Sequence, residues 1–250
     1  MSQLFSADIH IHTSLSPCAA DDASPSRVVH RARQRGLDII AITDHNSCEN
    51  VEAAVIAGER VGLTVWPGME LQTKEEVHLL CLFPDVRAAT EFQSLVYAHL
   101  PAVENRPERL GRQPLYDEQG ELLGECRRLL LVSSDLGLDD AFKIVTRSGG
   151  ACLPAHVDRK AYSLIGVLGA VPTGVPFPGY EVSRPQSIPA VLAACPWIHE
   201  ASIVASSDAH RLEDIVSGKT SLLMAGPSLA EFVAALEGRE DRKVVVRQES

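Results

Sequence analysis

Residues 7–18 read ADIHIHTSLSPC. Asp8, His10 and His12 alternate with Ile9 and Ile11. In a β-strand that alternation turns the three polar side chains to one face and the two isoleucines to the other. Two imidazoles crowded on one face repel when protonated and are hard to satisfy when buried. A metal ion removes both problems, because neutral imidazole is a natural ligand. Buried histidines bonded to neighbours explain an isolated pair equally well, so the rest of the chain has to decide.

Working outward, the first 83 residues read as alternating strands and helices. After ADIHIHT comes a helix in SPSRVVHRARQRG, with Ser24 as N-cap, Pro25 in the first helical position and Gly36 at its end. Strand LDIIAITDH, helix ENVEAAVIAGERVG and strands LTVWPGME and VHLLCLF follow. The apolar runs IIAI and LLCLF suggest strands covered on both sides, as in a parallel sheet. Alternating β and α with short loops predicts an α/β fold. Residues 84–135 break the rhythm and read as an insertion, with a helix near 86–98 and a hairpin around Asp117–Glu121. Helix 139–148, strand ACLPAH, a loop over 169–180, strand GYEVS, helix SIPAVLAAC, strand SIVASSDAH, helix SLAEFVAALEG and strand KVVVRQ complete the chain. No repeat or linker interrupts it, so residues 1–250 are expected to form one domain.

The nine histidines are not scattered evenly. His10 and His12 end the first predicted strand, His45 the second, His156 and His210 two later ones, and His78 begins VHLLCLF. In closed α/β barrels functional side chains gather at strand C-termini, so these residues can converge on one mouth. Carboxylates travel with them: Asp8, Asp44, Asp208, and Glu70 after Pro67 and Gly68, which we expect to form a sharp turn. Mixed imidazole and carboxylate donors suit zinc, manganese or iron better than magnesium or calcium. The donors exceed what one tetrahedral ion uses, so two or three divalent ions are expected. His30, His99 and His199 fall on helices or their flanks and carry no such reading.

Composition narrows the partners. With 250 residues and a net charge of −10, a broad basic face for duplex nucleic acid is not expected. A small phosphorylated substrate or a short single strand held by metals is compatible. No run of 18 apolar residues and no leader pattern is visible, so no membrane contact is expected. Six cysteines without a C-x-x-C pair suggest reduced thiols in a cytoplasm. The GKT at 218–220 is not a phosphate loop, since Glu213 stands where that loop needs glycine. Oligomeric state is not legible.

The motifs DIHIHT, ITDHN, PGMEL, VHLLCLF, PAHVDR and SSDAH occur in that order. As a set they resemble the PHP (polymerase and histidinol phosphatase) family of metal-dependent phosphoesterases. The resemblance implies a distorted, TIM-like (β/α)7 barrel with a metal cluster at the C-terminal ends of its strands. It implies that His10, His12, Glu70 and Asp208 bind one ion, and that Glu70 bridges to a second completed by His78 and His156. His45 and His210 would bind a third, and Asp44 would orient a ligand. Relatives usually supply a further ligand five or six residues after the HxH pair, where this chain has Pro17 and Cys18. Proline cannot bind; Cys18 reads equally as a thiolate ligand or as a loop residue packed nearby.

The implied reaction is attack on phosphorus by a hydroxide bridging two ions, which needs no protein nucleophile. Arg159 and Lys160, just after His156, and Arg184 are the candidate phosphate clamps, Arg159 first because guanidinium binds phosphate bidentately. Two other readings compete: a metal-dependent hydrolase of C–N or carboxylic ester bonds, and a non-catalytic metal- or partner-binding module.

Overall fold

The structure, a computed structural model, describes residues 2–172, 174–199 and 202–247. Its backbone is a curled seven-stranded sheet with helices outside. The strands are β1 (Gln3–Ile11), β2 (Ile39–Ile42), β3 (Thr64–Gln72), β4 (His78–Leu82), β7 (Ala151–Pro154), β10 (Thr220–Met224) and β11 (Lys243–Val246), in the order β11-β10-β1-β2-β3-β4-β7. A separate parallel pair, β8 (Tyr180–Val182) and β9 (Ile203–Ala205), lies against β7 on one side and β11 on the other. The ring so formed is a distorted, TIM-like α/β barrel.

Helices α1 (Pro25–Gln34) and α2 (Val51–Val61) connect the parallel strands β1, β2 and β3. Pro25 opens α1 as expected, although the Ser24 side chain makes no cap bond. Gly62 closes α2 in the left-handed region at φ 66°. Residues 84–135 hold α3 (Val86–His99), capped by Asp85 onto the Ala88 amide, then α4 (Pro107–Leu110) and a small hairpin of β5 (Pro114–Tyr116) and β6 (Leu122–Glu125). Later come α5 (Leu138–Arg147), α6 (Leu164–Leu168), α7 (Ile188–Ala194) and α8 (Leu229–Leu236).

Three expectations need correction. The sheet is mixed rather than parallel: β4 returns antiparallel to β3, with Gln72 opposite His78, and β7 is antiparallel to β4. Apolar runs report burial on both faces, not direction, and the few residues between β3 and β4 are too short for a crossover. Second, Pro67 and Gly68 make no turn. They lie inside β3, where it changes partner: residues 64–67 pair with β2 and residues 68–72 with β4. Proline is tolerated there because no central ladder needs its missing N–H. Third, Ile9 and Ile11 do not share a face. A register shift between Asp8 and Ile11 sends Ile9 into the core around α8 and Ile11 into the larger core beneath α1 and α2. Strand β10, antiparallel to β1, has no counterpart in the sequence reading.

Gly68 is a packing requirement. A Cβ there would stand 2.9 Å from the Ile42 carbonyl oxygen and 2.9 Å from Thr43 Cγ2. Gly68→Ala is therefore expected to push β2 from β3 and destabilise the fold by about 1–3 kcal/mol. Urea denaturation checks this; an unchanged midpoint would refute the close approach.

Candidate metal centre

The topology brings six histidines to one end of the barrel. His12 follows β1, and His45 follows β2 and bridges to Glu70 of β3. His78 opens β4, whose reversed direction puts its N-terminus beside the C-terminal half of β3. His156 follows β7, and the bridge Ile11–Ala209 draws Asp208 and His210 to the end of β1. All of these except Asp208 and His210 are buried.

Glu70 sits at the centre. Its Oε1 is 2.7 Å from His78 Nδ1, 3.0 Å from His156 Nε2 and 3.5 Å from His10 Nε2. Its Oε2 is 2.9 Å from His45 Nδ1 and 3.4 Å from His12 Nε2. Asp208 Oδ1 is 3.2 Å from both His10 Nε2 and His12 Nε2. Three groups have donor atoms close enough to share an ion: His10 with His12 and Asp208, His45 with Glu70 and His78, and His12 with His45 and His210.

The hydrogen bonds test whether an ion fits. His10 Nδ1 lies 3.0 Å from Glu181 Oε1, an acceptor, so it donates and leaves Nε2 with its lone pair. His12 Nδ1 lies 2.9 Å from Ser16 Oγ, whose proton is committed to Asp44 Oδ1 at 2.7 Å, so His12 Nε2 also presents a lone pair. The two Nε2 atoms then face each other at 3.1 Å beside two carboxylates. Four acceptors converging without a donor are unfavourable unless a cation lies among them. His78 Nε2 and His156 Nδ1 are buried without a hydrogen-bond partner. The donor set fits divalent ions.

Without an ion, protons take that role. Burial opposes charge on His10, yet Glu181, Asp208 and Glu70 hold its pKa well above the ordinary value. His45 rises to about 10 against its burial, through Glu70 and Cys18. Burial and His210 drive His12 down. Burial would raise Glu70, but His78, His10 and His45 hold it far below the carboxylate range.

Among the other expected residues, Asp44 accepts from the Thr13 amide at 2.8 Å, from Thr13 Oγ1 at 2.7 Å and from Ser16 Oγ. It thus acts on His12 through Ser16, which also accepts the His45 amide at 3.1 Å. Cys18 is an exposed residue; burial raises its thiol pKa, but the neighbouring His210 and His45 outweigh it, giving about 7. Arg159 lines the cavity over the cluster, of about 320 Å³, with its guanidinium 2.7 Å from Asp208 Oδ2. Lys160 and Arg184 do not line it; Arg184 lies 3.9 Å from Asp158. Lys219 of the GKT run ties the Ser183 and Ser206 carbonyls together.

Glu181 escaped the sequence reading. It is fully buried, bonds His10 and accepts the His156 amide at 2.7 Å. The available signal was an acidic residue inside the short apolar strand GYEVS. Carboxylates behind ligating imidazoles fix the tautomer, and their loss typically costs 10–100-fold in metal affinity. Asp44→Asn and Glu181→Gln are each expected to weaken zinc binding by about that factor, read by competition with a chromophoric chelator. Binding must also displace the protons on His10 and His45. Zinc affinity should therefore climb from about pH 6 to about pH 8, with proton release visible by calorimetry in buffers of different ionisation enthalpy. A flat profile would contradict the raised pKa values.

Comparison with known proteins gives the context. A 5'-3' exoribonuclease of Haemophilus influenzae is 32% identical over 78 residues, 30% of this chain and 27% of that protein. A phosphoribosyl 1,2-cyclic phosphate 1,2-diphosphodiesterase of Eggerthella lenta is 33% identical over 82 residues, 30% of this chain and 29% of that one. The lesion-specific endonuclease Q of Pyrococcus furiosus matches in fold with a TM-score of 0.65 at 16% identity, covering 97% of this chain and 58% of that one. Endonuclease Q in complex with a 27-mer duplex substrate matches with a TM-score of 0.60 at 16% identity, covering 96% and 58%. The chain thus spans less than two thirds of each of these proteins. The PHP domain profile matches residues 8–165, well over half of the chain. With the ordered motifs and the histidine–carboxylate mouth, that match makes the chain a member of the PHP domain family.

Proposed function

We propose that this chain is a metal-dependent phosphoesterase acting on a small phosphomonoester, a nucleotide or a short single-stranded oligonucleotide end. The observation that carries the reading is the facing of His10 Nε2, His12 Nε2, Glu70 and Asp208 Oδ1 with no proton to share, beneath a cavity that holds an arginine. In this reading His10, His12, Glu70 and Asp208 hold one ion. Glu70 with His78 and His156 holds a second, and His45 and His210, with Cys18 beside them, a third. Zinc, manganese or iron suits these donors. Such ions, when bound, supply an acidified water and charge neutralisation for phosphoryl transfer.

The chain's own residues do the rest. Asp44 and Glu181 fix imidazole tautomers through Ser16 and directly. Arg159, whose side chain is 45% exposed, exchanges its Asp208 contact for substrate phosphate oxygens. Lys160 and Arg184 have no part in this clamp. Residues 1–250 act as one unit, and the 84–135 insertion contributes part of the cavity rim. The charge argument against duplex nucleic acid does not exclude it, because endonuclease Q, similar in fold, holds a duplex substrate. No helix among the described residues is long and apolar enough to cross a membrane. All six cysteines are unpaired, which supports a reducing compartment such as the cytoplasm.

The test is metal content by mass spectrometry on protein purified without chelator, with turnover of p-nitrophenyl phosphate and bis(p-nitrophenyl) phosphate. About two or three ions per chain are expected. A fall by one in Cys18→Ala makes Cys18 a ligand, and an equal count makes it a bystander. Arg159→Ala should lower kcat/KM about a hundredfold with metal content unchanged. Metal-loaded protein that hydrolyses neither ester refutes the proposal.

A further inference from the structure

The cavity over the cluster is polar at its floor but not at its rim. Leu131 and Tyr162 both line it, and they are 39% and 46% exposed. A single exposed apolar side chain needs no explanation. Two on one cavity, beside Arg159 and six candidate ligands, do.

Both are held in place at some cost. The carbonyls on either side of Leu131, those of Leu130 and Val132, each accept from Asn46 Nδ2 at 2.8 Å. Asn46 is itself in the left-handed region at φ 52°, and its Oδ1 accepts the Gln72 amide at 2.9 Å. One side chain at the end of β2 thus pins the insertion's Leu131 over the site. Tyr162 also has a left-handed backbone, at φ 56°, unusual for a bulky residue. Its carbonyl accepts the His78 amide at 2.8 Å, and its ring stacks on the His78 imidazole, centroids 4.8 Å apart at 17°. The stack covers one face of the phenol, and the exposed remainder adjoins the cavity. Strain kept at the edge of a site by over-determined bonding is a mark of function.

We propose that Leu131 and Tyr162 select a phosphate ester whose organic part carries a flat aromatic ring, a nucleobase in biological terms. This inference rests on the phosphoesterase reading and narrows its substrate class. A planar ring continues the His78–Tyr162 stack, while Leu131 covers it from the insertion side. The phosphate then lies over the cluster within reach of Arg159. An unbranched polyol phosphate gains nothing from either rim residue.

The probes are AMP and ribose 5-phosphate, which share phosphate and sugar and differ by the base. Metal-loaded wild type is expected to prefer AMP about tenfold in both kcat/KM and calorimetric affinity. Tyr162→Phe should keep that preference. Tyr162→Ala should bring the ratio close to one, and Leu131→Ser should reduce it. Metal content is measured for every variant, because Tyr162 touches His78. No preference in wild type overturns the proposal. So does an equal loss for both compounds in Tyr162→Ala, which would make the tyrosine only a support for His78. If wild type hydrolyses neither of these compounds nor either p-nitrophenyl ester, the phosphoesterase reading falls, while the affinity ratio still judges the rim.

Discussion

A single buried carboxylate sets the terms for this molecule. Glu70 is 1% exposed, and both of its oxygens are ringed by imidazole nitrogens. Removing a carboxylate from water costs several kcal/mol unless opposite charge meets it. Neutral imidazoles cannot supply that charge, and two of them are locked by Glu181 and Ser16 with lone pairs turned inward. The mouth therefore demands cations, whether protons on His10 and His45 or metal ions in their place. Residues far along the chain matter to the extent that they bring nitrogens to this carboxylate.

The sheet does this by changing direction at β3. Upstream of Pro67 the strand runs parallel to β2, which delivers His45 alongside Glu70 through their bridge. Downstream it pairs with the returning β4, which delivers His78 from the other side. Because β7 reverses again, His156 arrives at the same end. A strictly parallel barrel would put the start of β4 at the opposite end, with His78 out of reach. The reversal is therefore part of the site.

Much of the site was legible in the sequence because its residues stand at breaks between apolar runs. Burial and polarity change abruptly there, and the motifs HIH, TDH, GME and DAH mark those breaks. What one residue type cannot report is direction or partner. LLCLF is equally apolar in a parallel or an antiparallel strand, so the hairpin was hidden. Gly68 reads as a turn by composition, and only the approach of Ile42 shows that it fits β2 against β3. Ile9 and Ile11 obey the alternation rule until the register shift in β1 separates them. Glu181 was invisible for a similar reason: its role depends on β8 lying beside β7, a contact that no local pattern reports.

Asp8, Asp44 and Glu181, the acids behind the cluster, share one arrangement that pattern reading does not reveal. Each is buried, and each accepts a backbone N–H from a segment carrying a cluster residue. Asp44 takes the amide of Thr13, next to His12; Glu181 takes that of His156; Asp8 takes that of Ser207, next to Asp208. His156 and Asp208 have left-handed backbones at φ 31° and 53°, a region uncommon for any residue but glycine, although Asp and His enter it more readily than most. A carboxylate bonded to the local amide helps to hold that conformation. Glu181 thus steadies a left-handed segment and orients an imidazole together. Removing such an acid should disturb the cluster more than its distance from Glu70 suggests, because the strained segment loses its anchor when the ligand loses its partner.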